Sequence, residues 1–197
     1  SADLQQGTGW LNYFGHSAAQ TWEIVTDPPS EFNNAGRLPM VVSLGCRTGS
    51  FAGGRFEVKS EPSLGEQLVV GRVRPNGQPR DGARNGGIAH WGTSALGNRL
   101  PSARLNDALV QKVFADTMRV LGEAIRQAKA TIAQNQGNSS LYVRHLLQYS
   151  LLGDPATTLA LPSRPDFALA SNNVDLSPSA PTPSTPLAVE MQVQNYG

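Results

Sequence analysis

The chain has 197 residues, of which 39% are hydrophobic, and this is enough apolar material for one ordinary domain with or without a tail. Its 16 basic and 15 acidic residues leave a formal charge of +1, which argues against a nucleic acid or an anionic membrane surface as partner. A single cysteine excludes an internal disulfide and a cysteine-based zinc cluster, and no motif predicts a cofactor.

Two short apolar runs each lead into a loop of small residues that carries a reactive side chain. Residues 10–14 are aromatic and aliphatic apart from Asn12, and Gly15 and His16 follow them. Residues 40–44 are rich in β-branched side chains, and Cys46 comes shortly after. Both runs predict buried strands, and in α/β sheets the carboxyl edge of the strands commonly carries the chemistry.

The middle of the chain alternates between helical and extended patterns. Ser63 and Glu66 have the spacing of a capping box, which predicts a short helix over residues 64–71. Residues 72–87 combine Arg with Pro, Gly and Asn and predict an exposed loop. Residues 86–94 predict a third buried strand with a turn at its end.

The clearest helical stripe covers residues 107–134, with Asn106 as the expected N-cap and Gly137 as the expected stop. A second helix, a Gly-Asp-Pro turn and a last strand are expected at residues 141–149, 153–155 and 157–161. This alternation predicts an α/β fold with a mostly parallel sheet that is flanked by helices.

Composition changes after Pro162, where the chain becomes rich in Pro, Ser, Thr and Asn. We therefore predict a folded domain over residues 1–163 and a linker or β-type tail over residues 164–197. In that tail, residues 167–169 and 187–193 predict two edge strands.

His16 and Cys46 form the candidate catalytic pair. If their strands are neighbours in a parallel sheet, the imidazole and the thiol emerge at the same edge, where His16 can take the thiol proton and leave a nucleophilic thiolate. The backbone N–H groups of Ser17 and Cys46 are then candidates for an oxyanion hole. A lone cysteine is also commonly an inert buried side chain, and that alternative stays open at this stage.

Other residues carry weaker signals. The candidates for a substrate cleft are Trp22, Trp91 and Thr93, because their strands end near the expected site, although aromatic filling of the core is an equal alternative for the tryptophans. His90 lies in an apolar run and is expected to be buried and hydrogen-bonded, and His145 is expected to be a surface or packing residue.

Four blocks in order resemble the gingipain-type cysteine peptidases of the caspase-like clan. They are NYFGHSAAQTW, LPMVVSLGCRTGSF, GGIAHWGTSA and LLGDPATTLALP, and the resemblance runs through residues 7–161. It implies a caspase-like α/β domain in which Cys46 is the nucleophile and His16 the general acid and base of peptide-bond hydrolysis. Ser17 departs from the family, which usually has a glycine there.

In that family an acidic residue that orients the histidine, and part of the specificity pocket, come from upstream sequence that nothing here matches. We therefore expect a chain that lacks the first strands of the sheet and needs the upstream part of the same protein to complete the domain. The expected partner is a protein or peptide substrate, with no nucleic acid. No apolar run reaches the roughly 20 residues that span a bilayer.

The tail, residues 165–197, resembles the opening of a CARDB-type module, an immunoglobulin-like bacterial adhesion domain. The two resemblances together imply a secreted or cell-surface protein of a bacterium. Two alternatives to hydrolysis remain: a sortase-like transpeptidase that uses the same Cys-His dyad, and a non-catalytic module of the cell envelope.

Overall fold

The structure is a computed structural model, and it describes residues 8–24, 26, 28–34, 36–52, 62–70, 85–137, 139–161, 167–169, 173–180 and 182–195. The chain divides into two compact units, residues 1–159 and 160–197. The predicted loop glycines 53 and 54, and residues 72–84 of the predicted Arg-rich loop, lie outside the described residues.

The first unit is built on a four-stranded sheet with the strand order β1-β2-β3-β4. The strands are β1 (Trp10–Tyr13), β2 (Met40–Ser43), β3 (Ala89–Thr93) and β4 (Tyr149–Leu152). The first three strands are parallel, and β4 runs antiparallel to β3. Every residue of β2 and β3 is buried, as expected for central strands that are covered on both faces. The mostly parallel sheet confirms the predicted fold class.

One face of the sheet is covered by helix α1, Leu64–Val70. The helix begins with the predicted capping box, in which the Ser63 N–H and hydroxyl both donate to Glu66 Oε2 at 2.8 Å. The apolar cluster between the helix and the sheet contains Tyr13, Trp22, Phe32, Val41, Leu64 and Leu68. This cluster fixes the end of β1 and the loop that follows it.

The opposite face is covered by helices α2 (Arg99–Val110), α3 (Leu121–Gln136) and α4 (Ser140–Gln148). Trp10 and Asn12 alternate with Tyr13 along β1, so their side chains point away from α1. Asn12 Nδ2 donates to Asn106 Oδ1 of α2 at 2.9 Å, and the Trp10 ring meets Phe114 edge-on at 5.3 Å between centroids. Helices therefore lie on both faces of the sheet, as predicted.

The prediction of one helix over residues 107–134 is wrong, because α2 continues as a π-helical turn at Gln111–Ala115 and then stops, and a separate helix, α3, begins at Leu121. The first, α2, begins earlier, after Asn98, whose side chain accepts the Leu100 N–H at 3.3 Å. Asn98 is therefore the N-cap, while the predicted cap, Asn106, lies inside α2. The predicted stop at Gly137 is confirmed as the C-cap of α3, with a φ of 56°.

The break between α2 and α3 has a tertiary cause. Thr117 takes a positive φ of 54° in the connection. The Arg119 carbonyl accepts the Leu159 N–H at 2.8 Å, and the Leu121 N–H donates to the Thr157 carbonyl at 2.9 Å. The segment that contains Thr157 and Leu159 pairs with the chain here and interrupts the helix. The apolar stripe of the sequence nevertheless continues across this interruption, so the sequence pattern does not show it.

The last strand of the sheet also lies elsewhere than predicted. Residues 157–161 form only one isolated bridge, between Thr158 and Val120, whereas the strand that joins the sheet is β4. Helix α4 confirms the helix predicted over 141–149, apart from its last residue, which begins β4. The turn that follows β4 contains Gly153 with a φ of 135°, a conformation that favours glycine.

The second unit contains two short antiparallel pairs among its described residues. One joins β5 (Phe167–Ala168) to β8 (Gln194–Asn195), and the other joins β6 (Val174–Ser177) to β7 (Ala188–Met191). The predicted strands fall on β5 and β7, while β6 and β8 lie outside the predicted ranges. Leu176, Val189 and Met191 are about half exposed, so these pairs enclose little apolar core.

His90 on β3 should make the fold sensitive to acid. Its ring is fully buried between Gly65 and Gly92, and neither ring nitrogen has a hydrogen-bond partner among the described residues. The predicted burial is therefore found, but the predicted hydrogen bond is not. Burial lowers the pKa of His90 from 6.5 to about 4.

The unfolded chain binds this proton below pH 6.5, while the folded chain resists it until about pH 4. The contribution of neutral His90 to stability is thus complete above pH 6.5 and is lost as the pH falls toward 4. Urea unfolding should show a free energy lower by about 2 kcal/mol at pH 5 than at pH 7, and His90→Leu should remove most of that difference. An unchanged pH dependence in the variant would contradict the assignment.

Candidate active site

The strand register places His16 and Cys46 at equivalent positions. In the parallel pair of β1 and β2, Tyr13 lies opposite Ser43. His16 and Cys46 each follow three residues later along their own strand's exit. The two side chains therefore leave the same carboxyl edge from neighbouring strands, which is the arrangement expected from the sequence.

Both residues line one cavity of about 250 Å³. Its wall is formed by residues 14–16 after β1, residues 44–46 after β2, residues 97 and 98 before α2, and Arg99 and Ser102 of α2. His16 is exposed, and Cys46 is half-buried. No hydrogen bond joins the His16 ring to the Cys46 thiol in the described part of the chain. The two residues line the same cavity without being directly bonded.

The backbone of His16 is held in place while its ring remains exposed. The His16 carbonyl accepts the Glu23 N–H at 2.9 Å and also accepts the Tyr13 hydroxyl. Gly15 packs on Tyr13, because a Cβ at Gly15 would lie 2.6 Å from the Tyr13 hydroxyl oxygen. The backbone carbonyl of His16 therefore holds the turn in place, and the imidazole takes no part in these hydrogen bonds.

Cys46 lies at the start of a tight turn. Arg47 takes a φ of 61°, which is uncommon for a residue with a side chain and occurs often at functional sites. The turn is held on β3, since the Gly49 N–H donates to the Thr93 carbonyl at 3.0 Å and the Arg47 N–H donates to the Ala95 carbonyl at 2.9 Å. Beneath it, Thr48 Oγ1 donates to Ser43 Oγ at 2.9 Å.

The Cys46 sulfur has a hydrogen-bond donor of its own. The Gly97 N–H donates to Cys46 Sγ at 3.4 Å, from the loop between β3 and α2. A backbone N–H directed at an acceptor stabilises negative charge that develops on it. Burial raises the pKa of Tyr149 to about 12, and the nearby Cys46 adds to this rise, so the Tyr149 hydroxyl stays protonated at neutral pH.

Ser17 connects the two loops. Its hydroxyl donates to the Cys46 carbonyl at 2.8 Å, a bond that a glycine could not make. Gly45 accommodates this contact, because a Cβ there would lie 2.8 Å from Ser17 Cβ and closer still to its hydroxyl oxygen. Ser17 is not among the described residues with positive φ, so it does not need the freedom of glycine.

The backbone N–H of Ser17 is available for a ligand. Ser17 and Trp22 form an antiparallel bridge whose hydrogen bonds come from the neighbouring residues, Ala18 to Thr21 and Glu23 to His16. Ser17 is thus in a non-hydrogen-bonded position, and no partner for its N–H is found among the described residues.

The three residues expected to form a substrate cleft lie in the core. Trp22 stacks on Tyr13 and donates from Nε1 to Ser43 Oγ at 2.9 Å. Trp91 is fully buried and packs on Tyr149, with 5.2 Å between ring centroids. Thr93 is also fully buried. None of the three lines the cavity, because their side chains are buried between the sheet and the elements packed against it.

The wall at residues 97–99 and Ser102 was missed by the sequence analysis. The pair Gly97-Asn98 ahead of a helical pattern resembles an ordinary loop and N-cap, and nothing local indicates that it faces a cysteine 51 residues away. Its assignment requires the tertiary fold. The described residues contain no group of three or more side chains that could hold a metal ion. None of the helices in the described ranges is both long and apolar enough to cross a membrane.

The fold and the site define an α/β protein with a histidine and a cysteine in one cavity at the carboxyl edge of a mostly parallel sheet. The model of Peptidase family C25 matches residues 1–160, and the chain belongs to this family. No curated protein sequence matches the chain.

Solved structures with the same fold include the Arg-specific cysteine proteinase gingipain R (RgpB), which superimposes with a TM-score of 0.63 at 18% identity. A complex of the Porphyromonas gingivalis RgpB pro- and mature domains gives a TM-score of 0.63 at 16% identity. Each match covers 85% of this chain and 38% of the other chain. The likeness confirms the caspase-like fold expected from the sequence.

Proposed function

We propose that the protein is a cysteine peptidase in which Cys46 is the nucleophile and His16 the general acid and base. The observation that carries the proposal is the placement of both side chains on one cavity, at equivalent positions beyond two paired parallel strands. Membership of Peptidase family C25 supports the same chemistry.

The first step is acyl transfer to sulfur. His16 takes the proton of the Cys46 thiol, directly or through a water molecule, and the thiolate attacks the carbonyl carbon of the scissile peptide bond. The oxyanion that forms accepts hydrogen bonds from the N–H groups of Ser17 and Cys46. His16 then gives its proton to the departing amine, which leaves a thioester on Cys46.

The second step regenerates the enzyme. His16 takes a proton from water, the hydroxide attacks the thioester carbonyl, and the thiolate leaves as the carboxylic acid product forms. His16 then returns its proton to the Cys46 thiolate, which restores the starting thiol. An amine that replaced water would give a new peptide bond on the same thioester. Hydrolysis and transpeptidation therefore differ only in the nucleophile of this step.

The bond between the Ser17 hydroxyl and the Cys46 carbonyl supports the proposed oxyanion hole. It fixes the distance between the two loops whose N–H groups are proposed to bind the same oxygen atom. An oxyanion hole acts through such preorganisation, because its donors do not have to move as charge develops.

We further propose that the protein is secreted or exposed on the cell surface of a bacterium. We also propose that residues 164–197 are an immunoglobulin-like segment of the CARDB type, following a peptidase domain over residues 1–163. The short antiparallel pairs in the second unit are compatible with such a segment.

The function is tested by incubating the intact protein with a mixture of peptides and analysing the products by mass spectrometry. We expect cleavage by the wild-type protein and none by Cys46→Ala. Cleavage that survives in Cys46→Ala would contradict the proposal, as would a wild-type protein that leaves every peptide intact. Addition of glycinamide then separates the two second steps, since a transpeptidase would attach it to the new carboxyl terminus.

A further inference from the structure

His145, expected from the sequence to be a surface or packing residue, is buried on α4 with both ring nitrogens engaged. Its Nε2 accepts the Asn98 N–H at 2.8 Å, and its Nδ1 lies 3.0 Å from the Leu141 carbonyl oxygen. An amide N–H can only donate and a carbonyl can only accept. Nε2 is therefore the acceptor of the ring and Nδ1 its donor in the arrangement that the structure contains.

The residue that His145 holds belongs to the cavity wall. Asn98 follows Gly97, whose N–H donates to Cys46 Sγ, and both residues line the cavity. Gly97 also packs over the loop that contains Cys46, since a Cβ on Gly97 would lie 3.6 Å from the Gly45 carbonyl oxygen. A change in the position of Asn98 would therefore move a donor that faces the thiol.

The segment between Ala95 and α2 has few other anchors among the described residues. At its start, the Ala95 carbonyl accepts the Arg47 N–H, and at its end the Asn98 side chain and carbonyl cap α2. Leu96, between these points, is 64% exposed. The bond to His145 is the contact that ties the main chain of Asn98 to helix α4.

We propose that His145 is a positioning residue for the site, which holds Asn98 so that the Gly97 N–H stays directed at Cys46 Sγ. This inference rests on the proposed function for its effect on catalysis, but its effect on the thiol can be measured without a substrate. His145 is not among the residues that line the cavity, and its bond to the Asn98 N–H connects it to the main chain of residues 97 and 98.

The test compares two replacements that differ in the hydrogen-bond acceptor. His145→Phe keeps a ring but has no acceptor for the Asn98 N–H, while His145→Gln offers an amide oxygen at a similar reach. Because the chain has a single cysteine, the rate of alkylation by iodoacetamide reports on Cys46 alone. We expect the rate to fall about tenfold in His145→Phe, because the Gly97 N–H would be displaced from the sulfur, and to recover to within about threefold of wild type in His145→Gln.

A third variant controls for general loosening of α4. Tyr142→Phe removes another partly buried hydrogen bond of the same helix, from Arg104 to the Tyr142 hydroxyl at 2.8 Å, and should leave the alkylation rate unchanged. Hydrogen exchange of the backbone amides gives a second measurement, which does not require the variants to be active. The Asn98 N–H should be protected in wild type and in His145→Gln, and should exchange faster in His145→Phe.

The outcomes separate the two proposals. The positioning role is overturned if His145→Phe is folded and its thiol is alkylated at the wild-type rate. It is also overturned if the alkylation rates of His145→Gln and Tyr142→Phe fall as far as that of His145→Phe. If His145→Phe does not fold, an Asn98 N–H that exchanges freely in the wild-type protein would overturn it instead. A wild-type protein that cleaves no peptide contradicts the proposed function, while the difference between the Phe and Gln variants would still support the role of His145.

Discussion

Replacement of His16 by Ala lowers kcat/KM for peptide cleavage by about 10²–10⁴-fold, with the loss in kcat, if His16 transfers the protons of both steps. The exposed ring makes no structural hydrogen bond among the described residues, because the backbone carbonyl of His16, and not its ring, accepts the Tyr13 and Glu23 donors. The variant should consequently unfold at the wild-type urea concentration.

Steady-state kinetics on one cleaved peptide, with urea unfolding as the control, checks this expectation. A variant that is folded and retains kcat would show that another group carries the proton. A variant that loses activity together with stability would show that the ring has a structural part. Only a loss of kcat at unchanged stability agrees with the assigned role.

The second large effect is expected at Gly45 on the Cys46 loop, where an added methyl group would meet the loop that contains His16. In Gly45→Ala the new Cβ would lie 2.8 Å from Ser17 Cβ and 3.2 Å from the Gly15 carbonyl oxygen. The backbone of one loop has to move, at a cost of about 1–3 kcal/mol. A displacement of about 1 Å between the Ser17 and Cys46 loops can lower kcat/KM by about 10²-fold.

Gly97→Ala is the matched control for stability. Gly97 lines the same cavity, but its added Cβ would have no neighbour closer than 3.6 Å, which is an ordinary contact. Its free energy of unfolding should stay within about 0.5 kcal/mol of wild type. Equal destabilisation by both substitutions would mean that the contact between Gly45 and Ser17 is not the cause.

The sequence was sufficient to find the strands that carry the site. Residues 10–14 and 40–44 are apolar runs that end in glycine, and the structure pairs them as parallel neighbours. The periodicity of strands then places His16 and Cys46 at one edge. Their identical offset from the paired residues Tyr13 and Ser43 could not be predicted, because register depends on packing between the strands and α1.

What the sequence could not supply depends on contacts between distant segments. The break before α3 is caused by pairing with residues 157–159, and no local residue pattern marks it. The hydrogen bonds of the cavity wall also join distant segments, since Gly97 is 51 residues from Cys46 and Asn98 is 47 residues from His145. The same limit explains why Trp22 and Trp91 were expected in a cleft, since their strand positions do not reveal which faces other layers cover.

In the proposed mechanism, Cys46 becomes acylated by substrate with the help of His16. The most direct measurement is mass spectrometry of the intact protein after rapid acid quenching during turnover of a peptide ester. We predict an adduct with the mass of the acyl group, absent in Cys46→Ala, that maps to the one cysteine and forms at least about 10²-fold more slowly in His16→Ala. Turnover without any adduct on Cys46, or an adduct that forms equally fast in His16→Ala, would contradict the proposed mechanism.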